Sequence, residues 1–279
     1  MNEQNPKKWL QVGELAAGFG GNELEPLPDL AGRSLAALFE AGDELSIRIG
    51  SGSELDYSVR SSRILGEWLD GGCAPYIATS LRPGIFLVDF LPQSSPPRSV
   101  SLVIDLDRGI GTAVLGRLPT AAEAQKPLHA LAAASEELTP VAAEILPFAL
   151  SGAPSTPYRW HPPTTDLVGR RMRYEYGPRD LYEHIYLNER YYTWLCRRGP
   201  EEGLADTDRC HYRLIDDELY LFVWREKIVP TLGVVLVDTA ALRSTGKLFG
   251  YRSDDFGVVT NVSVGSRASL VNVTSPPAR

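Results

Sequence analysis

The chain has 279 residues, of which 43% are hydrophobic and 23% charged, which is typical of a folded globular protein and argues against wholesale disorder. This length favours two domains over one. The net charge of −7 argues against a nucleic-acid partner, because phosphate binding needs clustered Lys and Arg. The N-terminal stretch lacks a signal-like apolar run and nothing later resembles a membrane span, so we expect a cytoplasmic protein without a membrane partner.

The predicted elements of the first half are short strands. These segments are rich in Ile, Val, Phe or Thr and are bounded by Gly, Pro, Asp or Arg. They cover Ser46–Arg48, Tyr76–Thr79, Gly84–Leu91, Ser99–Leu106 and Gly111–Leu115.

Residues 119–165 differ in composition from the strand-rich segments on either side, and we predict that they form a linker between two domains. The segment TAAEAQKPLHALAAASEELTPVAAEIL is rich in Ala, Glu and Leu, and it predicts helices that are broken at Pro127 and Pro140. The proline-rich SGAPSTPYRWHPPTT that follows predicts an extended connection. We therefore place a first domain at 1–118 and a second at 166–279.

The second half returns to short strands separated by turn residues. They cover Met172–Tyr176, Tyr182–Leu187, Tyr191–Cys196, Cys210–Leu214, Glu218–Arg225, Gly233–Asp238 and Gly246–Tyr251. Closing such a meander into a barrel removes its exposed edges. The prediction is an all-β protein of two tandem antiparallel barrels.

An internal repeat relates the two halves. The segment 82–116 matches 216–250 without gaps over most of its length, with Val88 against Phe222 and Gly116 against Gly250. Leu30–Arg33 is echoed by Leu167–Arg170 in the same order. The repeat indicates two diverged copies of one domain, and the alternative that any two strand-turn-strand units look alike stays open.

Tyrosines concentrate in the second copy. Residues two apart in a strand share a face, so Tyr174 and Tyr176 point together, as do Tyr182, His184 and Tyr186. A buried Tyr needs a partner for its hydroxyl, so an inward orientation predicts a cavity with polar points. The alternative is an aromatic ladder on the outer surface of the sheet.

Glu226 ends a very apolar predicted strand, directly after Trp224 and Arg225. An inward Glu226 would have a raised pKa and would suit proton transfer, whereas a Glu226 at the barrel rim would pair with Lys227. The cysteines form no CxxC pair and the histidines are too scattered for a metal motif, so we expect no metal site.

Four segments of the second half, YEHIYLNERYYTWLC, EEGLADTD, YLFVWREKIVPTLGVVLVD and RSTGKLFGY, resemble the MoaF family. The first half is similar to the family's N-terminal domain through Leu30–Arg33 and Ile85–Gly116. The resemblance implies calycin-like, or lipocalin-like, barrels. The family is usually labelled molybdenum cofactor biosynthesis protein F, but nothing here resembles a pterin, nucleotide or molybdenum site.

The second half also resembles the phenolic acid decarboxylases, cofactor-free lipocalin-like enzymes that hold a 4-hydroxycinnamate inside the barrel. The resemblance implies that Tyr174 and Tyr176 bind a carboxylate and that Glu226, in Trp224-Arg225-Glu226, handles the phenol and its proton. The family's Gly-x-x-Ala turn looks like Gly203-Leu204-Ala205.

One departure from that family concerns its arginine, whose position falls near Thr193 or Trp194. Without this cation a carboxylate would be held less well, and a neutral or cationic aromatic ligand is the alternative. Arg213 or Arg225 could substitute from another strand.

These features predict a ligand site in the second barrel, with the first barrel mainly structural. Glu226, Tyr174 and Tyr176 are the predicted catalytic residues of a lyase or isomerase/cyclase that needs no cofactor and acts on a small aromatic or polycyclic metabolite. The predicted substrate-binding residues are Tyr186, His184, Trp194, Trp224 and Arg213. Two alternatives remain, a non-catalytic carrier and a structural protein with filled barrels, and a homodimer stays open.

Overall fold

Eight antiparallel strands form the first half of the computed structural model, which describes residues 8–60, 63–152 and 160–274. Each strand pairs with the next, and β8 returns to pair with β1, which closes a barrel. The strands are β1 Ser34–Phe39, β2 Glu44–Ile49, β3 Glu54–Arg60, β4 Gly71–Arg82, β5 Ile85–Phe90, β6 Arg98–Asp105, β7 Ile110–Arg117 and β8 Ala142–Leu150.

The second half repeats this topology. Strand β16 pairs with β9, so this barrel is closed as well. Its strands are β9 Arg170–Gly177, β10 Asp180–Tyr186, β11 Tyr191–Arg198, β12 Ala205–Asp216, β13 Leu219–Arg225, β14 Thr231–Asp238, β15 Arg243–Tyr251 and β16 Val259–Val273. The prediction of two tandem calycin-like barrels is confirmed.

The strand order agrees with the internal repeat. Val88 on β5 and Phe222 on β13 are both fully buried, each inside its own barrel. The same offset matches β6 with β14 and β7 with β15. Corresponding positions of the repeat thus occupy corresponding places in two barrels of eight strands.

Helices are short in the described part of the chain, and none of them is long and apolar enough to cross a bilayer. They are α1 Val12–Leu15, α2 Ala121–Ala124 and α3 Leu128–Ala133, with a 3-10 helix at Leu65–Glu67. The expected linker at 119–165 therefore contains two helices, but its helical prediction is wrong for β8, which completes the first barrel. Pairing with both β7 and β1 outweighs the helical preference of this Ala-rich sequence.

The two barrels pack against each other through the outer faces of β5–β7 and β13–β15. These strands are buried on both faces, which explains their continuous apolar sequence. Within this interface, Nζ of Lys247 lies 2.6 Å from Oδ1 of Asp89, and Thr245 donates a hydrogen bond to Thr79 at 3.0 Å. Arg82 reaches across to Asp238, with 2.7 Å between Nε and Oδ2.

Candidate active site in the second barrel

The tyrosines of β9 and β10 point into the second barrel. Tyr174 and Tyr176 are buried, whereas the intervening outward positions on β9 carry Arg173 and Glu175. Tyr182, His184 and Tyr186 are buried on the inner face of β10. The structure therefore favours the lumen over an outer aromatic ladder.

Tyr174 and Tyr186 use their hydroxyls on each other. Their oxygen atoms are 2.6 Å apart, and both rings are 1% exposed. Burial raises the pKa of each hydroxyl above its usual value, so both stay neutral. This pair lies in the lumen beside a small cavity, but neither tyrosine lines that cavity.

A small cavity lies at one end of the lumen, with a volume of about 40 Å³. Since a water molecule needs ~10–15 Å³ of such space, the cavity has room for about three. Its lining residues are Leu15, Phe19, Tyr176, Tyr182, His184, Tyr192, Trp194, Glu201, Trp224, Glu226, Thr231 and Leu248. The site thus brings together five of the eight sequence-predicted residues: Tyr176, His184, Trp194, Trp224 and Glu226.

Glu226 faces this cavity and is held by Trp224, whose indole Nε1 donates to Oε1 at 2.9 Å. Burial raises the pKa of Glu226 well above its ordinary 4.5, and the nearby charge of Asp208 acts in the same direction. Lys227 instead pairs with Asp206 and Asp208, at 2.5 and 3.3 Å. Glu226 is therefore an inward acid and not the partner of Lys227.

Glu201 is a second carboxyl on the cavity wall, and the sequence analysis missed it. Oε2 accepts a hydrogen bond from the Tyr182 hydroxyl at 3.0 Å, and Oε1 accepts one from the backbone N–H of Leu10 at 3.1 Å. Its side chain is buried, and burial raises its pKa. Glu201 follows a proline in the β11–β12 turn, where a carboxyl group is normally exposed to solvent. Its place in the segment EEGLADTD, which resembles the MoaF family, was the only indication in the sequence that it could belong to a site.

His184 lies among the rings of Tyr174, Tyr192 and Trp224. Burial lowers the pKa of its imidazole to about 3, so the ring is neutral at physiological pH. Its Nδ1 atom is buried and has no hydrogen-bond partner among the described residues. His184 lines the cavity, and a buried polar atom without a partner in such a residue calls for an explanation.

The N-terminal segment 8–22 covers the mouth of the second barrel, although it precedes the first barrel in the chain. Phe19 stacks on Tyr176 with ring centroids 4.6 Å apart, and Trp9 meets the edge of Trp194 at 5.6 Å. The side chain of Val12 fills the space above Gly250, where an added Cβ would lie 2.3 Å from Val12 Cγ2. The first half therefore contributes Leu15 and Phe19 directly to the site.

Arg213 and Arg225 lie away from the cavity. Arg213 is on the outer face of β12, next to the inward Tyr212, and it borders a surface cleft. Arg225 donates to the carbonyl of Val141 and pairs with Glu137 at 2.7 Å. Neither arginine replaces the cation of the decarboxylases, and no Lys or Arg is among the described residues that line the cavity.

A metal ion has no evident place in the part of the chain that the structure describes. There, no three His, Cys, Asp or Glu side chains converge in a group that could hold one. The cavity lining offers two carboxyl groups, an imidazole, tyrosine and threonine hydroxyls and the faces of several aromatic rings.

Two tandem calycin-like barrels, the second with a small cavity lined by aromatic rings and two carboxyl groups, define the class of this protein. Residues 7–120 match the model of the MoaF N-terminal domain, and residues 161–274 match that of the MoaF C-terminal domain. The chain belongs to the MoaF family. It is 41% identical to Protein MoaF of Klebsiella aerogenes over 268 residues, which cover 95% of this chain and 96% of that protein.

A solved structure titled as a putative beta-lactamase from Burkholderia vietnamiensis is also similar, with 14% sequence identity and a TM-score of 0.33. The match covers 38% of this chain and 96% of that one. The likeness to the phenolic acid decarboxylases stays a prediction from the sequence.

Proposed function

We propose that the second barrel is the active site of a cofactor-independent lyase or isomerase/cyclase that acts on a small aromatic or polycyclic molecule. The observation that carries the proposal is Glu226, an acid with a strongly raised pKa on the wall of an aromatic cavity. Groups poised in this way suit general acid–base catalysis, which contributes ~10²–10⁴-fold to a rate.

The raised pKa gives Glu226 the role of proton donor at the start of the reaction. Glu226 would protonate a carbon of the bound substrate, and its carboxylate would then recover a proton from another position of the substrate, which completes an isomerisation. In a decarboxylation the substrate would instead lose carbon dioxide, and Glu226 would recover its proton from solvent. The Trp224 N–H holds the carboxyl in place during both steps.

Tyr176 is the hydroxyl that we assign to the polar end of the substrate. It lines the same cavity as Glu226, and burial raises its pKa, so it acts as a neutral hydrogen-bond donor. Tyr174 is engaged with Tyr186 and is a positioning residue in this proposal. His184, Trp194 and Trp224 supply the walls that fix one conformer of the substrate.

Substrate entry requires the N-terminal segment to move. Pockets that bury drug-sized ligands have volumes of ~300–1,000 Å³, far above the volume of this cavity. Leu15 and Phe19 are the lining residues that do not belong to the barrel, so their displacement is the route that leaves the sheet intact.

The test is the Glu226→Gln variant, compared with the unaltered chain on a panel of hydroxycinnamates and aromatic amines. We expect turnover to fall by at least ~10²-fold while binding persists, because the amide keeps the shape of the carboxyl but cannot transfer its proton. Binding is followed by the fluorescence of the cavity tryptophans. Full turnover by this variant would remove Glu226 from the mechanism.

A non-catalytic carrier is the second candidate, and the closed mouth of the barrel favours it. Trp9 and Phe19 seal the cavity with aromatic contacts, as a protein that sequesters its ligand would require. This candidate predicts binding without chemical change and tolerance of substitution at Glu226.

In both candidates the first barrel is mainly structural. Its interior is filled by an apolar cluster that includes Leu45, Leu55, Phe90 and Phe148, so it offers a ligand few polar contacts.

A further inference from the structure

We infer that the ligand of this cavity carries a protonated amine, and that Glu201 and Glu226 together recognise it. The inference rests on the proposed ligand site and names the chemical class that the site selects. It does not depend on whether the ligand is chemically changed.

The charges around the cavity favour a cationic ligand. Glu201 and Glu226 accept hydrogen bonds only from neutral donors in the described chain, namely Tyr182, the Leu10 N–H and Trp224. Asp208, the nearby third carboxyl, already has Lys227 as its cation. Glu201 is buried and Glu226 is half-buried. Carboxyl groups withdrawn from water are normally paired, so two without a cation leave a place for a positive ligand.

The aromatic wall of the cavity also favours a cationic ligand. The indole N–H groups of Trp194 and Trp224 are used by Asp208 and Glu226, so these side chains offer the cavity their ring surfaces and no free donor. Aromatic faces attract ammonium groups, and the attraction grows when water is excluded. Phe19, Tyr176 and Tyr182 extend the same wall.

The unpartnered Nδ1 atom of His184 favours a ligand that donates a hydrogen bond. Its low pKa keeps the imidazole neutral, so the ring does not repel a cation. In the tautomer with the proton on Nε2, Nδ1 accepts a hydrogen bond. An ammonium N–H would satisfy this nitrogen, whereas a carboxylate ligand would meet two acidic side chains and no cation.

Recognition of an amine must be linked to protons. Burial favours the neutral form of both carboxyl groups in the free protein, and a bound ammonium favours the ionised form. Binding therefore releases a proton to solvent. Affinity should rise with pH until the amine itself loses its charge.

The experiment is isothermal titration calorimetry of the full chain with four probes that share a benzene ring and differ in its substituent: benzylamine, benzyl alcohol, benzoate and benzyltrimethylammonium. We expect benzylamine to bind at least ~10-fold tighter than benzyl alcohol, a difference of ~1.4 kcal/mol, and benzoate to bind weakest. Benzyltrimethylammonium should also bind less well, because it cannot donate a hydrogen bond to Glu201, Glu226 or His184. Titrations in two buffers of different ionisation enthalpy should show release of about one proton with benzylamine.

Matched variants connect the preference to the two carboxyl groups. Glu226→Gln and Glu201→Gln should each abolish the preference for benzylamine over benzyl alcohol, while Glu202→Gln, an exposed neighbour in the same turn, should leave it unchanged. Circular dichroism confirms that each variant is folded. The panel is repeated on Phe19→Ala, so that closure of the mouth cannot hide an existing preference.

Equal binding of benzylamine and benzyl alcohol by both the unaltered chain and the Phe19→Ala variant would overturn the inference. So would a benzylamine preference that survives both glutamine substitutions. Turnover of a neutral or anionic substrate that depends on Glu226, with no amine preference, would sink this inference and leave the proposed enzyme standing. Amine binding that depends on the two carboxyl groups, without any reaction, would support this inference and contradict the proposed enzyme.

Discussion

Glu226 illustrates, at the scale of single residues, how a carboxyl group that faces an aromatic cavity can reduce stability. Its pKa is raised in the folded chain, so its contribution to stability is fully present below the unfolded value of about 4.5 and is lost as pH rises through the folded value. Glu201 has a shift in the same direction. The site therefore favours folding less at neutral pH than in mild acid.

We expect Glu226→Gln to be more stable than the unaltered chain at pH 8 and to show little difference at pH 4. The gap should widen by up to ~1.4 kcal/mol per pH unit between 4.5 and the folded pKa. Urea denaturation across this range measures it. If the difference in the free energy of unfolding between the two proteins does not depend on pH, Glu226 is not desolvated in the folded chain.

The hydroxyl pair of Tyr174 and Tyr186 makes a second prediction at this scale. Tyr186→Phe should cost ~1–3 kcal/mol, because it leaves the Tyr174 hydroxyl buried without a partner. The double variant, with Phe at both positions, should cost less than the sum of the single changes. Chemical denaturation of the four proteins measures the coupling, and strict additivity would contradict the pair.

At the level of single residues, alternation along β9 and β10 predicted which tyrosines share a face, but it left open whether that face lines the lumen. The resemblance to the phenolic acid decarboxylases supplied an inward Glu226, and the structure brings Tyr176, His184, Trp194, Trp224 and Glu226 to one cavity. The sequence could not reveal that Tyr174 is engaged with Tyr186, since pairing of two hydroxyls depends on strand register. Nor could it reveal which face of β12 is inward: pairing with β13 places Tyr212 against Phe222 in the lumen, which turns the neighbouring Arg213 outward.

The N-terminal segment 8–22 is the element that covers the cavity, and the proposed function requires it to move when a ligand enters. Phe19→Ala removes a buried ring that stacks on Tyr176 and lines the cavity, so it should cost ~3–5 kcal/mol and accelerate ligand entry. Leu187→Ala, at a residue that is 48% exposed, is the control and should change stability by less than ~0.5 kcal/mol. Denaturation and stopped-flow binding measure the two effects. An unchanged entry rate would mean that ligands reach the lumen by another path.

Elements were predictable where local sequence and long-range pairing agree. The central strands of both barrels have continuous apolar sequence, and the helices break at Pro127 as expected. Strand β8 was missed because AAEILPFAL favours a helix locally and becomes a strand only between β1 and β7. The covering role of residues 8–22 was missed because it depends on contacts with residues more than 150 positions away.

At the scale of the whole molecule, the two barrels are joined by an apolar interface that contains the buried ion pair of Lys247 and Asp89. Lys247 lies on β15 and Asp89 on β5, and Asp89 also accepts hydrogen bonds from Ser101 and Asn261. Burial lowers the pKa of Lys247, while the charge of Asp89 opposes that shift. The pair thus ties β5 of the first barrel to β15 of the second.

Lys247→Met should destabilise the protein by ~3–5 kcal/mol, because it leaves Asp89 buried without its cation. Adding Asp89→Asn should recover part of this loss, since the remaining polar group is neutral. Thermal and urea denaturation of the two variants test the expectation. Equal stability of the single and double variants would show that Asp89 is not charged in the interface.

The crossing of residues 8–22 onto the second barrel also constrains how such a protein can be divided or recombined. A gene fragment that encodes only the second copy would produce a barrel whose ligand chamber is open at one end and lacks the N–H group that contacts Glu201. Fusing the second copy to a foreign leading domain would have the same defect. A separated second barrel would therefore need residues 8–22, or a segment that replaces their contacts, to close its ligand chamber.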